Sequence, residues 1–161
     1  MHSWKSRKNN PLYRGRVEYV FTINRTDASH EKKVFLPDEG HAYTVAHKMT
    51  ITIGNKIIIE KNPSNFIVKE LDMNVKSIKF TCISDKECME NNIISNYEYA
   101  DWKPNIPKDI ADKSYFPSIG DTIYTIFSLT DNILFLGDSM LNTNSPDERL
   151  EKLMTTKLIK E

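Results

Sequence analysis

Apolar and polar positions alternate with a period of two along much of this chain, a pattern that predicts strands rather than helices. In Arg16 to Asn24 (R-V-E-Y-V-F-T-I-N), Val17, Tyr19, Phe21 and Ile23 fall on one side, as a half-buried strand requires. Lys33 to Leu36 is a shorter candidate, stopped by Pro37 and the turn-like Asp38-Glu39-Gly40. Tyr43 to Ile53 and Lys56 to Lys61 are apolar, β-branched runs joined by Gly54-Asn55, which predicts a tight hairpin. Phe66 to Leu71 opens another strand. Asp72-Met73-Asn74 is expected to turn the chain into Val75 to Ile83, whose Ile78, Phe80 and Cys82 should face the core.

The stretch from Cys88 to Trp102 fits either a short helix or a strand around Asn96 to Ala100. Residues 103–120 hold Pro104, Pro107 and Pro117, so they predict a loop with at most one helical turn near Ile110. Loops this long are often functional. Asp121 to Leu129 and Ile133 to Gly137 form a second hairpin around Thr130-Asp131-Asn132. Ser145-Pro146-Asp147-Glu148 then carries a cap, a first-turn proline and first-turn acids. It predicts one short C-terminal helix with Leu150 and Leu153 on one face, before a last strand from Thr156 to Ile159. Eight or nine short strands give the expected fold class: all-β, an antiparallel meander barrel or a strongly bent sandwich.

The chain has 161 residues, enough for a single domain over 1–161 with its own core. Hydrophobic residues make up 39% and charged residues 27%, which excludes a disordered chain. Net charge is zero but uneven. Residues 1–80 carry 14 Lys/Arg against 8 Asp/Glu, and residues 81–161 carry 8 against 14. Lys5, Arg7, Lys8, Arg14 and Arg16 precede any acid, so residues 1–15 read as a basic, flexible arm. Aromatic side chains do not interleave with these cations as stacking platforms would, so no nucleic-acid partner is expected. No apolar run is long enough to span a membrane as a helix.

Cys82 and Cys88 enclose five residues, C-I-S-D-K-E-C. That spacing suits a small disulfide loop over a turn, with two reduced thiols as the alternative, and it is no zinc or redox pair. A disulfide favours a secreted or periplasmic protein whose signal has been removed; a cytoplasmic one stays open.

Catalytic signals are thin. Gly137-Asp138-Ser139 looks like the nucleophile block of Gly-Asp-Ser hydrolases, but no His follows Ser139, and a serine without a base is a poor nucleophile. A strand-ending turn explains the same residues. His30, His41 and His47 are the acid–base candidates, with Asp38 and Glu39 beside His41. His41 and His47 are six apart, which on an unbroken strand puts them on one face. No metal-ligand spacing, phosphate loop or cofactor motif is present, so neither metal nor cofactor is expected. The strongest remaining signal is aromatic. Tyr19, Phe21, Tyr43, Phe80, Tyr124 and Phe127 lie on expected strands and are the candidate ligand-binding set of a barrel interior.

Trp4 near the start, about eight meander strands, and Arg149 beside a terminal helix together resemble a lipocalin-like (calycin) domain. The run from Gly120-Asp121 through Ile123-Tyr124 to Leu136-Gly137-Asp138 adds to the likeness. The family's Gly-x-Trp is here His2-Ser3-Trp4. The resemblance implies a ligand-binding barrel in which Trp4 and Arg149 are structural. The leading expectation is therefore a non-enzymatic protein that binds a small apolar or amphipathic ligand. The first alternative is a protein-interaction or inhibitor module using residues 103–120, with Tyr115-Phe116-Pro117 as an exposed anchor. The second is a small hydrolase using His41 or His47.

Overall fold

The computed structural model describes residues 2–10, 15–36, 40–58, 67–83, 103–111, 116–137 and 158–161. Among them are nine strands and no helix: β1 (His2–Asn10), β2 (Gly15–Ile23), β3 (Asp27–Leu36), β4 (Gly40–Ile57), β5 (Val68–Cys82), β6 (Lys108–Asp109), β7 (Thr122–Thr130), β8 (Ile133–Leu136) and β9 (Leu158–Lys160). Eight of them run antiparallel in the order β1-β2-β3-β4-β5-β7-β8-β9. Then β9 returns to β1 through Trp4↔Lys160 and Lys5↔Ile159. The sheet is a closed meander barrel, and closure removes the free edges that an open sheet would expose. The backbone N–H of Glu161 donates to the Ser3 carbonyl, and that of Lys160 to the Asn132 carbonyl, which ties the seam.

Alternation decides which side chains enter the core. Val17 and Phe21 on β2 are buried with Trp4, Val34, Tyr43, Val45, Met73, Ile78 and Phe80. Trp4 stands opposite Phe21 at 3% exposure. A second, smaller cluster of Val68, Ile126 and Phe135 occupies the other face of the β5–β7–β8 wall. That wall is therefore apolar on both sides.

The start of the chain is β1, a wall strand paired along its length with β2, rather than a free arm. Its cations have a local purpose. Glu18, only 5% exposed, receives Arg7 at 2.9 Å, Arg16 at 3.4 Å and Lys5 at 3.9 Å. Lys5 also reaches Glu161 at 3.2 Å. The Arg16 guanidinium lies 4.3 Å from the centre of the Phe35 ring, a cation–π contact.

Three expectations need correction. Gly54-Asn55 makes no hairpin; β4 runs straight through it, and β5 pairs on both sides, with Ile53↔Leu71 and Lys56↔Lys69. The two residues are absorbed as a bulge, where the Asn55 N–H donates to Glu70 Oε2 at 3.2 Å. A Cβ on Gly54 would stand 2.5 Å from that oxygen, so glycine marks a close approach there and not a turn. Asp72-Met73-Asn74 is likewise strand, because Met73 is needed in the core. The Asn74 amide instead donates outward to the Gly120 carbonyl at 2.7 Å. The 103–120 segment is partly wall: β6 pairs with Lys79–Phe80 on β5, and the Ile110 N–H donates to the Ile78 carbonyl at 2.9 Å.

The second hairpin stands as expected. Thr130↔Ile133 closes a two-residue turn, and Asp131 takes a left-handed conformation (φ 50°) that Asp tolerates. The expected helix near Ser145, the Cys88–Trp102 stretch, Arg149, Cys88 and Ser139 lie outside the described residues. Among the described residues, no helix is long and apolar enough to cross a membrane.

Candidate functional site

The inner face of β2, β3 and β4 carries several polar and ionisable side chains among apolar ones. Register puts them in rows across the sheet. Tyr19, Lys32 and Val45 face one another, and one step along the strands so do Phe21, His30 and His47. Trp4 and Ile78 extend the second row on either side. The His30 ring stacks on Tyr19 with centres 5.9 Å apart and 17° between planes, and lies 5.7 Å from the His47 ring. His47 in turn meets Phe116 at 6.2 Å.

The surroundings keep both imidazoles neutral. Burial, with help from His47 and the Lys32 charge, lowers the His30 pKa to about 3. Burial also lowers that of His47, while a hydrogen bond with the His30 backbone works the other way. Desolvation disfavours the charged form of a basic group. Among the described residues no carboxylate contributes to either shift, and none stands as the acid partner that an acid–base pair would use.

These groups are enclosed without being sealed. Tyr19, Ile23, His30, Lys32 and His47 all face inward and still keep part of their surface accessible, whereas Met73, Val75, Ile78 and Phe80 opposite them keep none. Two buried polar atoms here, Trp4 Nε1 and His47 Nδ1, have no hydrogen-bond partner among the described residues. Unsatisfied buried polar atoms are uncommon and costly.

Of the aromatic set chosen from sequence, Tyr19, Phe21, Tyr43, Phe80 and Phe127 belong to or pack against the interior cluster, with Tyr43 and Phe80 in ring contact at 5.3 Å. Tyr124 does not join them. It sits opposite Asp72 on the other face of β7 from Ile123 and Phe127. His41 and His47 are also separated. A bulge at Ala42 shifts the β3–β4 register, so Phe35 faces His41 while Val34 faces Tyr43, and His41 lands on the outer face. There it stacks on Phe35 at 5.0 Å and lies 2.7 Å from Thr44 Oγ1. Burial and Lys33 lower its pKa, opposed by a hydrogen bond with the Tyr43 backbone and by Glu18 and Glu31. Phe116, expected as an exposed anchor, is half-buried against the core; Tyr115 lies outside the described residues. Sequence reasoning left out Lys32 from the interior and did not pair His30 with His47. The available signal was parity, because Ala28, His30, Lys32 and Val34 alternate in phase.

Among the described residues no group of acids, histidines and cysteines could hold a metal ion. No protein-family model matches the chain, and the search of curated proteins gives no match. The class is therefore defined by fold alone: a closed, eight-stranded antiparallel barrel, which agrees with a lipocalin-like architecture at the coarse level.

Proposed function

We propose that the protein binds one small apolar or amphipathic molecule inside its barrel. The observation that carries this is the partly accessible inner face of β2–β4, set against an interior that is otherwise close-packed. Eight strands enclose a space that side chains can fill or one small ligand can occupy. Tyr19, His30 and His47 keep accessible surface that Phe21 does not, which supports a reading with space beside them, since protein interiors normally leave few voids. The apolar wall supplies the non-directional part of binding, and the polar rows supply orientation.

The test uses a neutral fluorophore, 1-aminoanthracene, displaced by 1-dodecanol. Saturable one-to-one binding with full displacement is expected. Fluorescence that rises linearly with no saturation would contradict a barrel site. An exported setting and a Cys82–Cys88 bond belong to the same proposal. Mass measurement after alkylation of unreduced protein should show no added label, and two labels would contradict the bond.

A further inference from the structure

Resting on the barrel reading, we infer that the Phe116 side chain is a gate. It closes the way to the polar rows of β2–β4 and swings aside when a small apolar molecule enters or leaves. The wall beside β5 shows where the gate comes from. There β6 pairs with Lys79 and Phe80, and the Ile110 N–H donates to the Ile78 carbonyl at 2.9 Å. Bonding to β5 resumes at Val75, whose carbonyl accepts from the Gly120 N–H at 2.9 Å and whose N–H donates to the Asp121 carbonyl at 2.8 Å. Ile78 and Val75 are three positions apart, whereas Ile110 and Gly120 are ten apart. The longer stretch cannot follow β5 residue for residue, and Phe116 within it packs against the interior cluster. Its ring lies 6.2 Å from that of His47. Because His47 flanks Ile78 on one side and Ile110 on the other, Phe116 reaches past Ile78 to the His47 end of the polar rows.

Phe116 differs from the aromatic residues that fill the core. Phe21 and Phe80 stand on strands and are sealed at 0% exposure. Phe116 stands on no strand and is half-buried. The backbone just after it is tied down. The Ser118 N–H donates to Asp121 Oδ2 at 2.9 Å, and the Gly120 carbonyl accepts from the Asn74 amide at 2.7 Å. With that backbone held and the ring partly in the open, rotation about the side-chain bonds is the least costly motion, and partly exposed side chains change rotamer fast. On leaving, the ring gives up a tilted contact with His47, at 49° between planes.

Stopped-flow fluorescence of 1-aminoanthracene mixed with the full chain reads the gate directly. A gate that is open about a tenth of the time slows entry and exit alike. Phe116→Ala should therefore raise the association and dissociation rate constants together, by roughly tenfold, with a much smaller change in Kd. Phe116→Trp, with a larger ring to swing, should lower both. Ile119→Ala, at a 53% exposed position in the same segment, should leave both unchanged. Opposite changes in the alanine and tryptophan variants guard against a folding defect in either one. An unchanged association rate in Phe116→Ala, or a change confined to dissociation and Kd, would make the ring a fixed wall contact. That result would overturn the gate and leave the barrel reading standing. Absence of saturable binding in the unsubstituted chain would overturn both.

Discussion

Two sectors of one barrel interior behave as opposites. Along β5, β7 and β8, Leu71, Met73, Val75, Ile123, Leu134 and Leu136 are apolar and sealed. Across β2–β4, Tyr19, His30, Lys32 and His47 are polar and partly accessible. Fully burying one large apolar side chain contributes about 1.5–3 kcal/mol, so the first sector accounts for much of the fold's stability. The second sector opposes it, by lowering the pKa of two imidazoles through burial.

The largest expected effect lies in the sealed sector. Leu71→Ala, at a fully buried position, should destabilise the protein by about 2–5 kcal/mol in chemical denaturation. A loss below about 1 kcal/mol, the range of surface substitutions, would mean that the sector is not close-packed.

The polar sector should reveal itself through pH. The His30 pKa is lowered from 6.5 to about 3, so between those values the unfolded chain binds more protons than the folded one. Stability is then fully present above pH ~6.5 and falls as pH drops toward 3, by up to about 1.4 kcal/mol per pH unit from His30 alone. His47 adds in the same direction, and Lys32 and Tyr19 are the other titratable groups facing them. His30→Leu should flatten this acid limb. An unchanged limb in the variant would place the ring in water. On the outer face, Glu18→Gln should cost about 1 kcal/mol and less at high salt, since it releases Lys5, Arg7 and Arg16 from a shared partner. A cost independent of salt would show that packing, not charge, holds that cluster.

The sealed sector was the legible one. Ile78, Phe80 and Cys82 face the core as their alternation requires, and the β7–β8 hairpin follows from two strand-like runs around Asp131-Asn132. Bulges were not legible, and they caused the main errors. Gly54 can serve a turn or a close approach to Glu70, and only the long β4–β5 pairing decides between them. Ala42 carries no bulge signal at all, yet it sends His41 outward and leaves His47 inside. Lys32 was missed because a lysine in a strand reads as a solvent-facing residue. Its phase with Ala28 and Val34 pointed inward, but the chemistry of the side chain outweighed the phase.

Because His30 and His47 face the interior while His41 sits on the outer face, the histidine rings provide both reporter and control. Nuclear magnetic resonance of the ring signals in histidine-labelled protein, recorded while 1-dodecanol is added, tests the central claim most directly. The His30 and His47 signals should shift together and saturate at one equivalent, with His41 unmoved. A shift confined to His41, or no shift in His30 and His47 while 1-dodecanol binds, would place the ligand outside the barrel and contradict the account.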